Sequence, residues 1–252
     1  MNRRAGKFFA HGTPSGTVRE KVVRHVDGRE VVYAPNRWEL LGALRARASA
    51  VQRALGARSM VYGSVARGDV RATSDVDVVM VEPAPSFAVE LGLASRFHVL
   101  ERRVTLASPS SVPKAHVELA EGATVSWPLL APTPREEGFY AFGGWMDATA
   151  AAPRERVPGV SKRLLLVEPT AAGHVESSVV GAEVEVARRL GVPLDVVEER
   201  VRVLGRRDRV GRTGVFRSVP VREGESFEQA LEELGAAEPA VRHQIGRRGG
   251  RR

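Results

Sequence analysis

Two short runs of β character constrain this chain more than anything else in it: Met60-Val61-Tyr62 and Val76-Asp77-Val78-Val79-Met80-Val81. They are joined by Gly63-Ser64-Val65-Ala66-Arg67-Gly68 and a polar stretch that ends in Thr73-Ser74-Asp75. Branched and aromatic side chains favour a pleated surface, so the pattern reads as strand, turn, strand. Side chains alternate along a strand, which puts Asp75 and Asp77 on the same side of the backbone, where they can share a divalent cation. Gly63 allows the backbone to approach a phosphate closely, and Ser64 adds a hydroxyl and an amide donor. A P-loop is excluded, because Asp69 and Val70 follow Gly68 where that motif requires Lys and Ser or Thr. A Rossmann turn is excluded too, since no Gly-x-Gly-x-x-Gly opens a helix here and the second element is a strand.

Gly63-Ser64, Arg67-Gly68 and Ser74-Asp75-x-Asp77 resemble the signature of the DNA polymerase beta-like nucleotidyltransferases, in the variant found in small prokaryotic minimal nucleotidyltransferases. The resemblance is strong over residues 56–82. It implies that Asp75 and Asp77 hold Mg²⁺ and that Gly63 and Ser64 contact the triphosphate of an incoming NTP. Arg67 either binds a phosphate or solvates the turn. The resemblance also implies a third carboxylate on a later strand, usually Asp, that completes the metal site and helps activate the nucleophile. Glu118 fits best, because Lys114, His116 and Glu118 alternate onto one face; Glu101 is the competitor. The implied reaction moves a nucleoside monophosphate from an NTP to an acceptor hydroxyl on RNA or protein and releases pyrophosphate. Two other readings stand beside it: a nucleic-acid-binding regulator whose transferase fold has lost catalysis, and an antitoxin-type enzyme that modifies a partner protein.

The chain has 252 residues, enough for two cores, and no cysteine. It shows no secretory pattern and no apolar run of bilayer length, so the expectation is a soluble cytoplasmic protein without disulfides or a membrane partner. Arg outnumbers Lys by 34 to 4, with two Asn and three Gln, a balance expected of a high-temperature host or of a GC-rich genome. Residues 1–58 carry net +8 and residues 239–252 net +5, against −5 for 59–238. Basic ends of this kind suit nucleic acid, although Arg-rich termini are also commonly solvated. Six His without metal-ligand spacing give no zinc site, and no nucleophile-elbow sequence surrounds Ser177 or Ser178.

The fold class expected is α/β (α+β): a polymerase-beta-like mixed sheet with flanking helices, plus a small winged helix-turn-helix-like domain. Four parts are expected: a basic extension over 1–35, the nucleotidyltransferase domain over 36–150, the winged-helix-like domain over 151–238, and an Arg-rich tail over 239–252. In the first, Met1 to Ser15 reads as flexible, and Val22–Val26, Asp27-Gly28 and Val31–Tyr33 read as a β-hairpin. A helix opens at Asn36, with Glu39 at capping-box spacing and Trp38, Leu41, Leu44, Ala48, Val51 and Leu55 as its apolar stripe. Phe139, Tyr140 and Phe142 either stack on a base or pack a core. In the third part, Ala187-Arg188-Arg189-Leu190-Gly191-Val192-Pro193 and the helix after it resemble a winged helix, with Gly214–Val219 as the wing. Residues 200–217 hold seven Arg and one acid, a further surface for nucleic acid.

Overall fold

The computed structural model describes residues 21–56, 58–149, 151–211 and 214–248. The stretch read as flexible, Met1 to Ser15, and the last four residues of the Arg-rich tail lie outside the described residues. Along the chain come β1 (Arg29–Val32), α1 (Pro35–Leu55), β2 (Met60–Tyr62), the one-turn helix α2 (Ser64–Arg67), β3 (Val76–Val79) and α3 (Ser86–Ala94). A meander of β4 (Val99–Leu106), β5 (Lys114–Leu119) and β6 (Ala123–Pro128) leads into α4 (Pro134–Gly143) and β7 (Trp145–Met146). Next are β8 (Gly159–Val160), β9 (Leu165–Pro169), β10 (Gly173–Ser178), α5 (Glu183–Leu190) and α6 (Leu194–Val210). The chain closes with β11 (Arg217–Pro220), α7 (Phe227–Ala237) and α8 (Pro239–Arg248).

The result is a mixed α+β fold with two sheets. The larger has the order β11-β4-β5-β6-β3-β2-β7 and is antiparallel except for β3 against β6; the smaller has the order β1-β10-β9-β8. Strict alternation gives the large sheet two unlike faces. Val61, Val76, Val78, Ala115, Val117, Ala123, Val125 and Trp127 are buried in one core with α1, α3, α7 and α8. The Trp127 ring meets Phe227 of α7 edge to face, with 5.0 Å between centroids. Tyr62, Asp77, Lys114, His116, Glu118 and Thr124 occupy the alternate positions and form the polar face.

Helix α1 buries Leu41, Leu44, Ala48, Val51 and Leu55 of the stripe expected, leaves Trp38 half-buried, and stops at Gly56 in the left-handed region (φ 61°). Its start differs from expectation. Asn36 does not cap; Ala34 holds the capping position without a side-chain bond, and Pro35 begins the helix with a preset φ and no N–H to satisfy.

The largest departure lies in which strands pair. The expected amino-terminal hairpin does not form: 21–27 has no regular structure, and β1 pairs instead with β10, Arg29 opposite Glu176. Gly28 takes a left-handed conformation (φ 66°), but the strand after it pairs with a distant partner over four residues. The helix pair α5–α6 forms as expected around Gly191, and buries Val186, Ala187, Val196, Val197 and Leu204 with β8 and β9. Its expected wing does not join it: β11 lies on the edge of the large sheet, Val219 opposite Val104. The Arg-rich tail is structured through residue 248. Buried Arg248 donates to Glu136 at 2.7 Å and to the carbonyl of Ala131 at 3.0 Å, which anchors α8.

Gly173 makes the β1–β10 pairing possible, since a Cβ there would stand 1.8 Å from the Val31 carbonyl oxygen. Gly173→Ala should therefore lower stability by about 1–3 kcal/mol through overpacking, read as a reduced midpoint in urea denaturation. An unchanged midpoint would show that β1 does not pair there.

Candidate active site

The turn after β2 has the conformation that its glycine permits. Gly63 sits at φ 75°, ψ −137°, open to glycine but strained for other residues, and a Cβ there would face empty space. Its amide donates to Gly144 O at 2.8 Å, which fixes the turn to the segment between α4 and β7. Ser64 opens α2, and its Oγ lies 3.4 Å from Ser74 Oγ; Ser74 in turn accepts from the Arg71 amide at 2.9 Å. The Gly-Ser turn and the residue before Asp75 are thus in contact.

Asp75 is exposed just ahead of β3, and Asp77 is half-buried within it. On the sheet Asp77 is flanked by Tyr62 of β2 and Thr124 of β6. Burial raises the Asp77 pKa and the charge of Asp75 adds to the rise, while Lys162, from the turn between β8 and β9, works against it. A buried carboxylate whose ionisation is opposed by a neighbouring one, beside a turn whose glycine faces open space, is a donor set that a hard divalent cation would relieve, with substrate oxygens and water completing its shell.

The row Asp77, Thr124, Glu118, Glu101 runs across four neighbouring strands. Glu118 is two strands from Asp77, about 10 Å by ordinary strand spacing. It is exposed and 3.5 Å from Arg103, which also holds Glu101. Among the described residues no three acidic or imidazole groups gather as a metal cluster. The structure therefore brings Gly63, Ser64, Asp75 and Asp77 together and leaves Glu118, and still more Glu101, outside the group.

Arg67 neither solvates the turn nor faces an open site. It is buried, donates to the Gly143 carbonyl and pairs with Asp69 at 3.0 Å. Arg45, hidden under the same turn, donates to Val65 O at 3.2 Å, Ala66 O at 3.1 Å and the Glu155 carbonyl. Both arginines hold the turn in place.

Sequence reasoning missed two cations contributed by the smaller unit. Lys162 acts on Asp77 electrostatically, as above. Arg200 of α6 lies 4.8 Å over the Phe139 ring, and its buried Nε makes no hydrogen bond among the described residues. Burial lowers its pKa, and the field of Tyr62 partly opposes that. One signal for Lys162 was present: in a chain with only four lysines, Lys162 and Lys114 both serve this face.

Lys114 donates to Tyr140 Oη at 2.6 Å and lies 4.6 Å over the same ring. Burial brings its pKa down to about 8. His116 is pushed down to about 4 by burial and then by the nearby charges of Lys114 and Arg103, while burial pushes Tyr62 up to about 12. The aromatic group packs together: Tyr62 meets Phe139 at 5.7 Å and Tyr140 at 5.6 Å, and Phe142 belongs to the smaller core.

Residues 43–118, less than a third of the chain, match the family model of the nucleotidyltransferase domain. The match takes in most of α1, the Gly-Ser turn, both aspartates and Glu118. It supports nucleotidyl transfer as the general chemistry. No curated protein and no solved structure gave a significant match.

His116 supplies a test of this geometry. An unfolded His titrates near pH 6.5 and the folded one near 4, so between those values the unfolded chain binds more protons and acid favours unfolding. Its contribution is present above pH 6.5 and is lost as pH falls to 4. Thermal melts across that range should show a steeper fall for the parent than for His116→Gln; parallel curves would place the imidazole in solvent.

Proposed function

We propose that the chain is a nucleotidyltransferase that moves a nucleoside monophosphate from an NTP to an acceptor hydroxyl. The observation that carries this reading is the contact of the Gly63-Ser64 turn with Ser74, which sets an open, glycine-shaped backbone beside the coupled pair Asp75 and Asp77. The matched family model supports it.

In this reading Gly63 and Ser64 hold the triphosphate, Asp75 and Asp77 hold Mg²⁺, and Lys162 and Arg200 approach the phosphates from the smaller unit. The cation, when bound, neutralises charge on the attacking and leaving oxygens. The acceptor oxygen attacks the α-phosphorus, the bond from that phosphorus to the oxygen bridging toward the β-phosphate breaks, and pyrophosphate leaves with the bonding electrons. The hydroxyl proton passes to a carboxylate or to solvent. Glu118 lies too far along the row to join the aspartates on one cation, so its role is confined to the acceptor side. Tyr62 and Phe139, with Arg200 on the Phe139 face, form a firm wall for the site.

A second reading, a fold that binds nucleotide and has lost catalysis, is favoured by one observation. The strand beside Asp77 offers Thr124 where a third carboxylate would complete the group.

Calorimetric titration with MgNTP, together with an assay for released pyrophosphate, separates these readings. Asp77→Asn should weaken MgNTP binding at least tenfold, because an amide keeps the shape and loses the charge that holds a hard cation. Glu118→Gln should leave MgNTP affinity within about twofold, since Glu118 stands outside the pair. Equal losses in both variants would place Glu118 in the metal site after all. Nucleotide binding without pyrophosphate, with host RNA and protein supplied as acceptors, would establish the second reading.

A further inference from the structure

A groove with a cavity of about 510 Å³ lies between the smaller sheet and the start of α1, and the transfer chemistry does not account for it. Arg29, Arg37, Arg71 and Arg163 line it with one carboxylate, Glu176, which is already paired with Arg29. Its floor is rigid. Buried His174 is bonded to Tyr33 Oη at 2.6 Å and is 3.3 Å from Glu176, so this polar network is satisfied within the protein. Arg37 lies 4.2 Å over the Tyr33 ring, which sets the direction of its guanidinium, and its Nε is buried without a hydrogen bond among the described residues.

Two of the lining arginines are close in the chain to residues of the aspartate site. Arg71 belongs to one wall, and its amide is bonded to Ser74, the residue before Asp75. Arg163 belongs to the other, and its chain neighbour Lys162 acts on Asp77. A ligand lying in the groove would therefore present its end to the site where the phosphate is transferred.

We infer that this groove holds the acceptor and that the acceptor is the end of a single-stranded nucleic acid. The inference rests on the nucleotidyltransferase reading. A strand end carries the phosphates that the arginines would neutralise and also the terminal hydroxyl that transfer requires. Val31, Val32 and Leu40 set apolar surface among the arginines, Val32 with 67% of its surface exposed, and this suits the flat faces of bases. An acidic peptide offers charge without such faces.

The test uses the full chain and a short, fluorescein-labelled, mixed-sequence single-stranded RNA, with binding followed by anisotropy over a salt series. For single strands each neutralised phosphate contributes about 0.7 to the slope of log affinity on log salt, so Arg37→Gln/Arg163→Gln should lower the slope by about 1.4. An unmoved slope in a variant that melts like the parent overturns the inference, as does displacement of the RNA by poly-glutamate at equal charge. Photo-crosslinking of thiouridine-bearing RNA to the parent protein does not depend on how the variant folds. Crosslinks within 31–40 or at 163 support the groove, and crosslinks confined to the α6 arginines overturn it. A MgATP titration of the parent keeps the two readings apart. RNA held through Arg37 and Arg163 without MgATP binding supports the groove and ends the transferase reading; MgATP binding with an unmoved RNA slope does the reverse.

Discussion

Two guanidinium groups hidden beneath the Gly-Ser turn hold the molecule in register. Arg45 and Arg67 direct their donors chiefly at main-chain oxygens, and those oxygens come from α2, from the end of α4 and from the segment that leads to β8. A buried cation costs free energy unless it is bonded, so Arg45 holds α2 to the segment before β8, and Arg67 holds α2 to the end of α4. The cost of burial shows in Arg45, whose pKa falls to about 10. Because Gly63 also donates to Gly144, the turn is tied to the segment between α4 and β7 as well as to its own strands.

Charge around the site divides by element. The carboxylates stand at the start of β3, cations arrive from the smaller unit as Lys162 and Arg200, and Lys114 and His116 rise from β5. The last two have their pKa values lowered chiefly by burial. The seven arginines of residues 200–217, which look like one surface in sequence, do not act as one. Arg200 turns inward onto Phe139, Arg206 and Arg207 are exposed, and Arg217 binds Glu238 at the far edge of the large sheet.

What could be read from the sequence followed from local physics. Most of the α1 stripe, the Gly-Ser turn between β2 and β3 and the α5–α6 pair depend on periodicity or on a single glycine, and all are present. Pairing between distant strands has no such local signal. β1 found β10 rather than Val22–Val26, and β11 found β4 rather than α6, because a ladder is chosen by the edges left open once the rest has folded. The site divides in the same way. Asp75 and Asp77 are neighbours in sequence and were legible from their spacing, while Lys162 and Arg200 reach the site only through tertiary packing. Glu118 alternates as expected, yet β6 lies between it and β3, and no periodicity along β5 reports that insertion.

The two ends of the described chain cross over. β1, from the amino-terminal side, completes the smaller sheet, while β11, α7 and α8, from the carboxyl-terminal side, close the larger one. A single cut between β7 and β8 would therefore leave each fragment lacking a strand held by the other. The two units are laced together rather than strung in series, so they cannot be pulled apart without unpicking a sheet.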